Sequence, residues 1–130
     1  MMKRWIAGTA LAGLAAMTAP AIAAEPMTVA DFLAKTNTLR SKGLLAIGSP
    51  DIQLLKDEVT SATVAYRADL AAQRAAGQPP HSCPPPRGQV PLTSTDLIAE
   101  FNAIPPAERT VGVKAAFYAM MKKRYPCKAA

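Results

Sequence analysis

The chain has 130 residues and a formal net charge of +6, with 50% hydrophobic and 18% charged residues. That length allows one domain around one hydrophobic core. The positive charge is mild and spread out. With three Tyr, three Phe and no nucleic-acid reading motif, it argues against a nucleic-acid partner.

The N-terminus has the three parts of a secretory signal. Lys3 and Arg4 supply the positive start, and Trp5 to Met17 form an uncharged, mostly apolar run. Pro20 breaks that run, and Ala21-Ile22-Ala23-Ala24 offers small residues to a signal peptidase. The expectation is a cleaved signal peptide over 1–24, export to a bacterial periplasm, and a mature helical domain over 25–130. An uncleaved anchor would tether the same domain to the inner membrane. No later segment carries the 18 or so consecutive apolar residues of a membrane span. Without Lys3 and Arg4 the net charge falls to +4, and about 106 residues remain for one core.

Four helices are predicted, separated by proline and glycine. The first spans about 28–42. Thr28 is its N-cap, Asp31 stands three residues on, and Gly43 ends it. Val29, Phe32, Leu33 and Thr36 share one face. In the second helix Ser49 caps, Pro50 takes the first position, Asp51 complements the positive end, and Gly77 stops it. Ile52, Leu55, Val59, Ala62, Tyr66 and Leu70 recur at steps of three and four, one stripe of a helix about 40 Å long. A helix of that length should bend near Thr60 to Thr63 or project from so small a domain.

Residues 77–92, GQPPHSCPPPRGQVPL, hold six prolines and exclude a regular helix. A long ordered loop in a small domain is often a binding element. The third helix opens at Thr93 with Asp96 in the capping-box position and buries Leu97, Ile98, Phe101 and Ile104. Pro105 and Pro106 turn the chain and are expected to start the fourth helix, with Glu108 in its first turn. Val113, Ala116, Phe117 and Met120 form its inner stripe, and Tyr125-Pro126-Cys127 ends it. The cations Lys122, Lys123, Arg124 and Lys128 suit a solvated last helical turn. The fold should be all-α.

The two cysteines, Cys83 and Cys127, are expected to pair outside the cytoplasm. The link would tie the proline-rich loop to the end of the last helix and constrain the unfolded chain by roughly 4 kcal/mol at most.

Little in the sequence points to catalysis. His81 is the one histidine, too few with two cysteines for a tetrahedral zinc site. There is no haem-attachment motif and no glycine-rich phosphate cradle, so neither metal nor cofactor is expected. Asp57 and Glu58 point about 100° apart on a helix and do not converge. Asp69 lies near Arg67 and Arg74 and reads as part of a solvated face, and Met120 and Met121 read as core filler. His81 reads as an exposed loop residue. With Arg87 and Gln89 it forms the candidate set of partner contacts on the loop. The exposed face of the second helix is the competing surface.

The stretch YRADLAAQRAAGQPPHSCPPP and the following PLTSTDLIAEFNAIPPAERTVGVKAAFYAMMKKRYPC resemble the Rap/Tai immunity-protein family. A helix with Tyr66 leads into a loop with Cys83-Pro84. A short capped helix and a proline corner follow, and the last helix closes with Tyr125-Pro126-Cys127. The resemblance covers 66–127. It implies a periplasmic, non-enzymatic protein, in many relatives a dimer, that binds and blocks a peptidoglycan amidase delivered by a type VI secretion system. A small periplasmic chaperone that shields unfolded clients is the alternative that size, helices and a single disulfide also allow.

Overall fold

The computed structural model describes residues 26–89 and 92–128, so the expected signal peptide over 1–24 lies outside the described residues. Four helices make up the domain: α1, Val29–Lys42; α2, Pro50–Ala75; α3, Ser94–Ala103; and α4, Val113–Arg124. Among the described residues there is no strand beyond a single bridge between Thr28 and Gly112. The fold is all-α, as the spacing predicts.

The caps expected from the sequence are formed. The Thr28 hydroxyl accepts from Asp31 N at 3.1 Å, and Gly43 closes α1 at φ 54°. The Ser49 hydroxyl accepts from Asp51 N. At α3 the box is reciprocal, because the Thr93 hydroxyl accepts from Asp96 N while Asp96 accepts from Thr93 N. The Thr93 hydroxyl also donates to Asp96 Oδ2 at 2.7 Å, and that bond first and the backbone bond second hold the Asp96 carboxyl below its ordinary range.

The predicted stripes meet in one core. Val29, Phe32, Leu33 and Thr36 of α1 are buried, as are Leu55, Ala62, Tyr66 and Leu70 of α2, while Ile52 and Val59 are half-buried. Phe32 meets Phe101 edge to face, with ring centroids 5.3 Å apart. Met120 and Met121 both point inward. Helix α2 runs unbroken for 26 residues, packs on α4, and shares α1 as a neighbour with α3 and α4. Its Thr63 hydroxyl donates back to Val59 O at 2.8 Å.

One boundary differs from the expectation. Pro105 and Pro106 do turn the chain, but Glu108 does not lie in the first turn of α4. It belongs to a separate 3-10 turn, Pro106–Glu108, and α4 starts five residues later at Val113. The intervening backbone is used elsewhere. Val29 N donates to Val111 O and Ala30 N to Arg109 O, both at 2.9 Å, and Val113 N donates to Met27 O at 2.9 Å. The first two satisfy first-turn N–H groups of α1 and the third the first N–H of α4, none of which has an acceptor within its own helix. A helix continuing through 109–112 would withdraw the Arg109 and Val111 carbonyls from α1. Arg109 also closes α3, its Nε and an Nη donating to Ile104 O and Asn102 O at 2.9 Å each.

Cys83 and Cys127 form a disulfide with Cα atoms 4.9 Å apart. Replacing either by Ser should lower stability by about 2–4 kcal/mol, a fall in Tm of roughly 10–25 °C for a domain this size. Cleavage by a protease should then begin within 77–89. Variants that melt with the parent in thermal circular dichroism would show the link to be energetically idle.

Candidate functional site, the disulfide-anchored proline loop

Helix α2 ends where glycine permits. Ala76 N donates to Ala72 O, Gly77 N to Arg74 O and Gln78 N to Gln73 O, and Gly77 takes φ 68°. The chain then doubles back along α2. His81 N donates to Gln73 Oε1 at 2.7 Å, and the Ser82 hydroxyl meets the Tyr66 hydroxyl. Cys83 N donates to Tyr125 O at 2.8 Å beside the disulfide. An Arg67 Nη reaches Pro85 O at 3.5 Å. Residues with few N–H groups of their own are thus held by donors and acceptors borrowed from α2 and the end of α4.

Between loop and helix lies an open groove of about 470 Å³. Val59, Thr63 and Val64 form one wall, Pro85 and Gly88 the other, and Tyr125 and Met121 line it further. Arg67 and Arg87 line it too, with no acidic residue among the described lining groups. The site is therefore apolar with a positive rim. Arg87 and Gln89 are exposed at the tip of the turn, where Gln89 N donates to Pro86 O and Gly88 has φ 84°.

The structure separates the residues that the sequence groups as partner contacts. Arg87 and Gln89 stand together at the tip. His81 is half-buried at the other end of the loop, away from the groove lining, so its reading as an exposed residue is corrected. Its ring packs edge-on to Tyr66 and Tyr118, with centroids 6.2 and 5.5 Å away. An imidazole beside two aromatic faces is better placed there than in water.

Asp69 is exposed, as expected of a solvated face, and it also makes a tertiary contact. It accepts from the Tyr118 hydroxyl of α4 at 2.5 Å, tying α2 to α4. Burial, the Asp69 hydrogen bond and the Asp69 charge push the Tyr118 hydroxyl up to about 12 from its ordinary 10.0. Tyr66, Ser82 and Tyr118 escape a reading based on reactive residue types. The spacing of Tyr66 and Asp69 at i and i+3 is the one sequence signal that they share a face. Nothing in the sequence marks Ser82.

His81 Nδ1 lies 3.3 Å from Ser82 Oγ, a contact that superficially matches a base and a nucleophile. Ser82 is 0% exposed and its hydroxyl is engaged by Tyr66, so no substrate carbon can reach it. The arrangement fastens the loop. Among the described residues, no three His, Cys, Asp or Glu gather as a metal ion would require. Compared with protein-family models, curated proteins and solved structures, the chain matches none.

Ser82→Ala should cost about 1–3 kcal/mol, because it strips the buried Tyr66 hydroxyl of its partner, and Tyr66→Phe should cost about 1 kcal/mol, because Ser82 keeps His81 Nδ1 at 3.3 Å. The double variant should cost less than the two losses together, as chemical denaturation would show. Strictly additive losses would mean that the two hydroxyls are not coupled.

The Tyr118 hydroxyl is held neutral by the fold. The stability it confers is complete below pH 10 and disappears as pH rises toward 12. Between those limits the parent should lose stability more steeply than Tyr118→Phe. Parallel slopes in pH-dependent unfolding would exclude Tyr118 as the titrating group.

Proposed function

We propose that the chain is an exported, non-enzymatic protein-binding module of the inhibitor kind. In this reading it resembles the immunity proteins that block a peptidoglycan amidase toxin of the type VI secretion system. The observation that carries the reading is the state of the proline-rich loop. It is clamped by the disulfide and by four hydrogen-bonding contacts to α2 and the end of α4, while Arg87 and Gln89 remain exposed at its turn. A segment ordered before its partner arrives loses little conformational freedom on binding, and that loss is a main cost of association.

The groove beside the loop adds apolar surface edged by Arg67 and Arg87. A positive edge favours a partner with acidic groups around its cleft, through both encounter rate and register. The periplasm is the compartment in which the signal-like N-terminus and the disulfide make sense together. A dimer would leave this reading intact, since the loop is a complete unit within one chain.

The test is pull-down from the cell envelope, followed by inhibition of any amidase recovered. Arg87→Ala with Gln89→Ala should weaken inhibition at least about tenfold while Tm stays within about 2 °C, as expected for exposed positions. Full inhibition by that variant would remove the loop tip from the interface, and recovery of no amidase would remove the immunity role. If the protein instead suppresses aggregation of an unfolded client in light scattering, it belongs to the chaperone class.

A further inference from the structure

Away from the proline loop, the connection between α1 and α2 breaks the usual distribution of apolar residues. It is a 3-10 turn, Gly43–Ala46, followed by Ile47 and Gly48. Only Ala46 turns inward. Leu44, Leu45 and Ile47 are 85%, 87% and 77% exposed, the most exposed large aliphatic residues among those described. The turn holds them in place. Ile47 N donates to Leu44 O at 3.2 Å and Ser49 N to Ala46 O at 2.9 Å, with Gly43 and Gly48 at φ 54° and 85°. Three aliphatic side chains held in water by an ordered turn need a reason.

The charges around the turn indicate what it meets. From 32 to 50 the chain has Lys35, Arg40 and Lys42 and no acidic residue. The nearest acid in sequence, Asp51, is engaged by Lys35 at 3.2 Å. Arg40 and Lys42, in the last turn of α1, form no ion pair among the described residues. An apolar knob flanked by unpaired cations complements a surface with negative groups outside and hydrocarbon beneath.

We propose that this turn is a membrane-contact tip, with Leu44, Leu45 and Ile47 entering the headgroup boundary of an anionic lipid bilayer while Arg40 and Lys42 meet the lipid charges. The tip has three large exposed side chains, against the roughly 20–30 residues per side that a stable protein interface commonly uses. Binding of this size is weak, reversible and sensitive to salt. The tip sits at the N-terminal end of α2, and the Gln73–His81 clamp sits near its C-terminal end. The inference does not depend on the inhibitor reading.

The chain has one tryptophan, Trp5, so a reporter can be placed at the tip. Trp5→Phe/Leu45→Trp, carrying its own N-terminus and purified from the cell envelope, is mixed with vesicles of phosphatidylglycerol and phosphatidylcholine or of phosphatidylcholine alone. Trp fluorescence should shift to the blue with the anionic vesicles only, and 0.5 M salt should reverse most of the shift. Adding Arg40→Gln/Lys42→Gln should weaken vesicle binding at least about fivefold, with an unchanged Tm showing that the fold is intact. No shift, or an equal shift with neutral vesicles, overturns the proposal. A shift that depends on protein concentration without lipid, accompanied by dimers in ultracentrifugation, assigns the tip to a second copy of the chain and also overturns it.

Discussion

A loop with six prolines in sixteen residues can supply few backbone hydrogen bonds of its own, because each proline lacks an N–H and resists helix. Its order has to come from outside. The disulfide between Cys83 and Cys127, with Cys83 N bound to Tyr125 O, provides that order by joining the middle of the loop to the end of α4. Once that point is held, His81 lies within reach of Gln73, Ser82 of Tyr66 and Pro85 of Arg67. Each of these contacts spans few residues of loop and would be weak without the others.

The buried part of the loop and its exposed part follow from the same anchoring. Ser82 is sealed against Tyr66, and the His81 ring stands among aromatic residues of α2 and α4. Beyond Cys83 the chain rises off the helix, leaves the Arg-edged groove beneath it and turns at Gly88. Stability and presentation are therefore divided between the two halves of one segment. The polar groups nearest to catalytic types are the ones most committed to holding the fold. Arg87 and Gln89, the exposed polar residues at the turn, make no side-chain hydrogen bond or ion pair among the described residues.

The opposite end of the molecule depends on backbone pairing. The first turn of α1 donates to carbonyls of the 109–112 connection, and Arg109 closes α3 from the same connection. A short irregular segment thereby completes the ends of two helices. It also delays the start of α4, although the double proline by itself would suit a helix start.

Local chemistry determined much of this protein before any tertiary contact formed. Side-chain oxygens at Thr28, Ser49 and Thr93 set the helix starts, and Gly43 and Gly77 set two ends. The steps of three and four along α1, α2 and α4 chose the buried faces, because capping and periodicity act over one or two turns and need no distant partner. The pairing of Cys83 with Cys127 was legible because only two cysteines follow the signal-like segment. Tertiary structure decided what distance in sequence conceals. Asp69 stays exposed, but its bond to Tyr118, 49 residues away, has no signal in the sequence, and His81 reads as exposed until α4 brings Tyr118 beside it. Glu108 reads as helical until α1 claims the backbone that follows. In each case a long-range partner changes the solvation or hydrogen bonding of a group whose neighbours in sequence carry no trace of it.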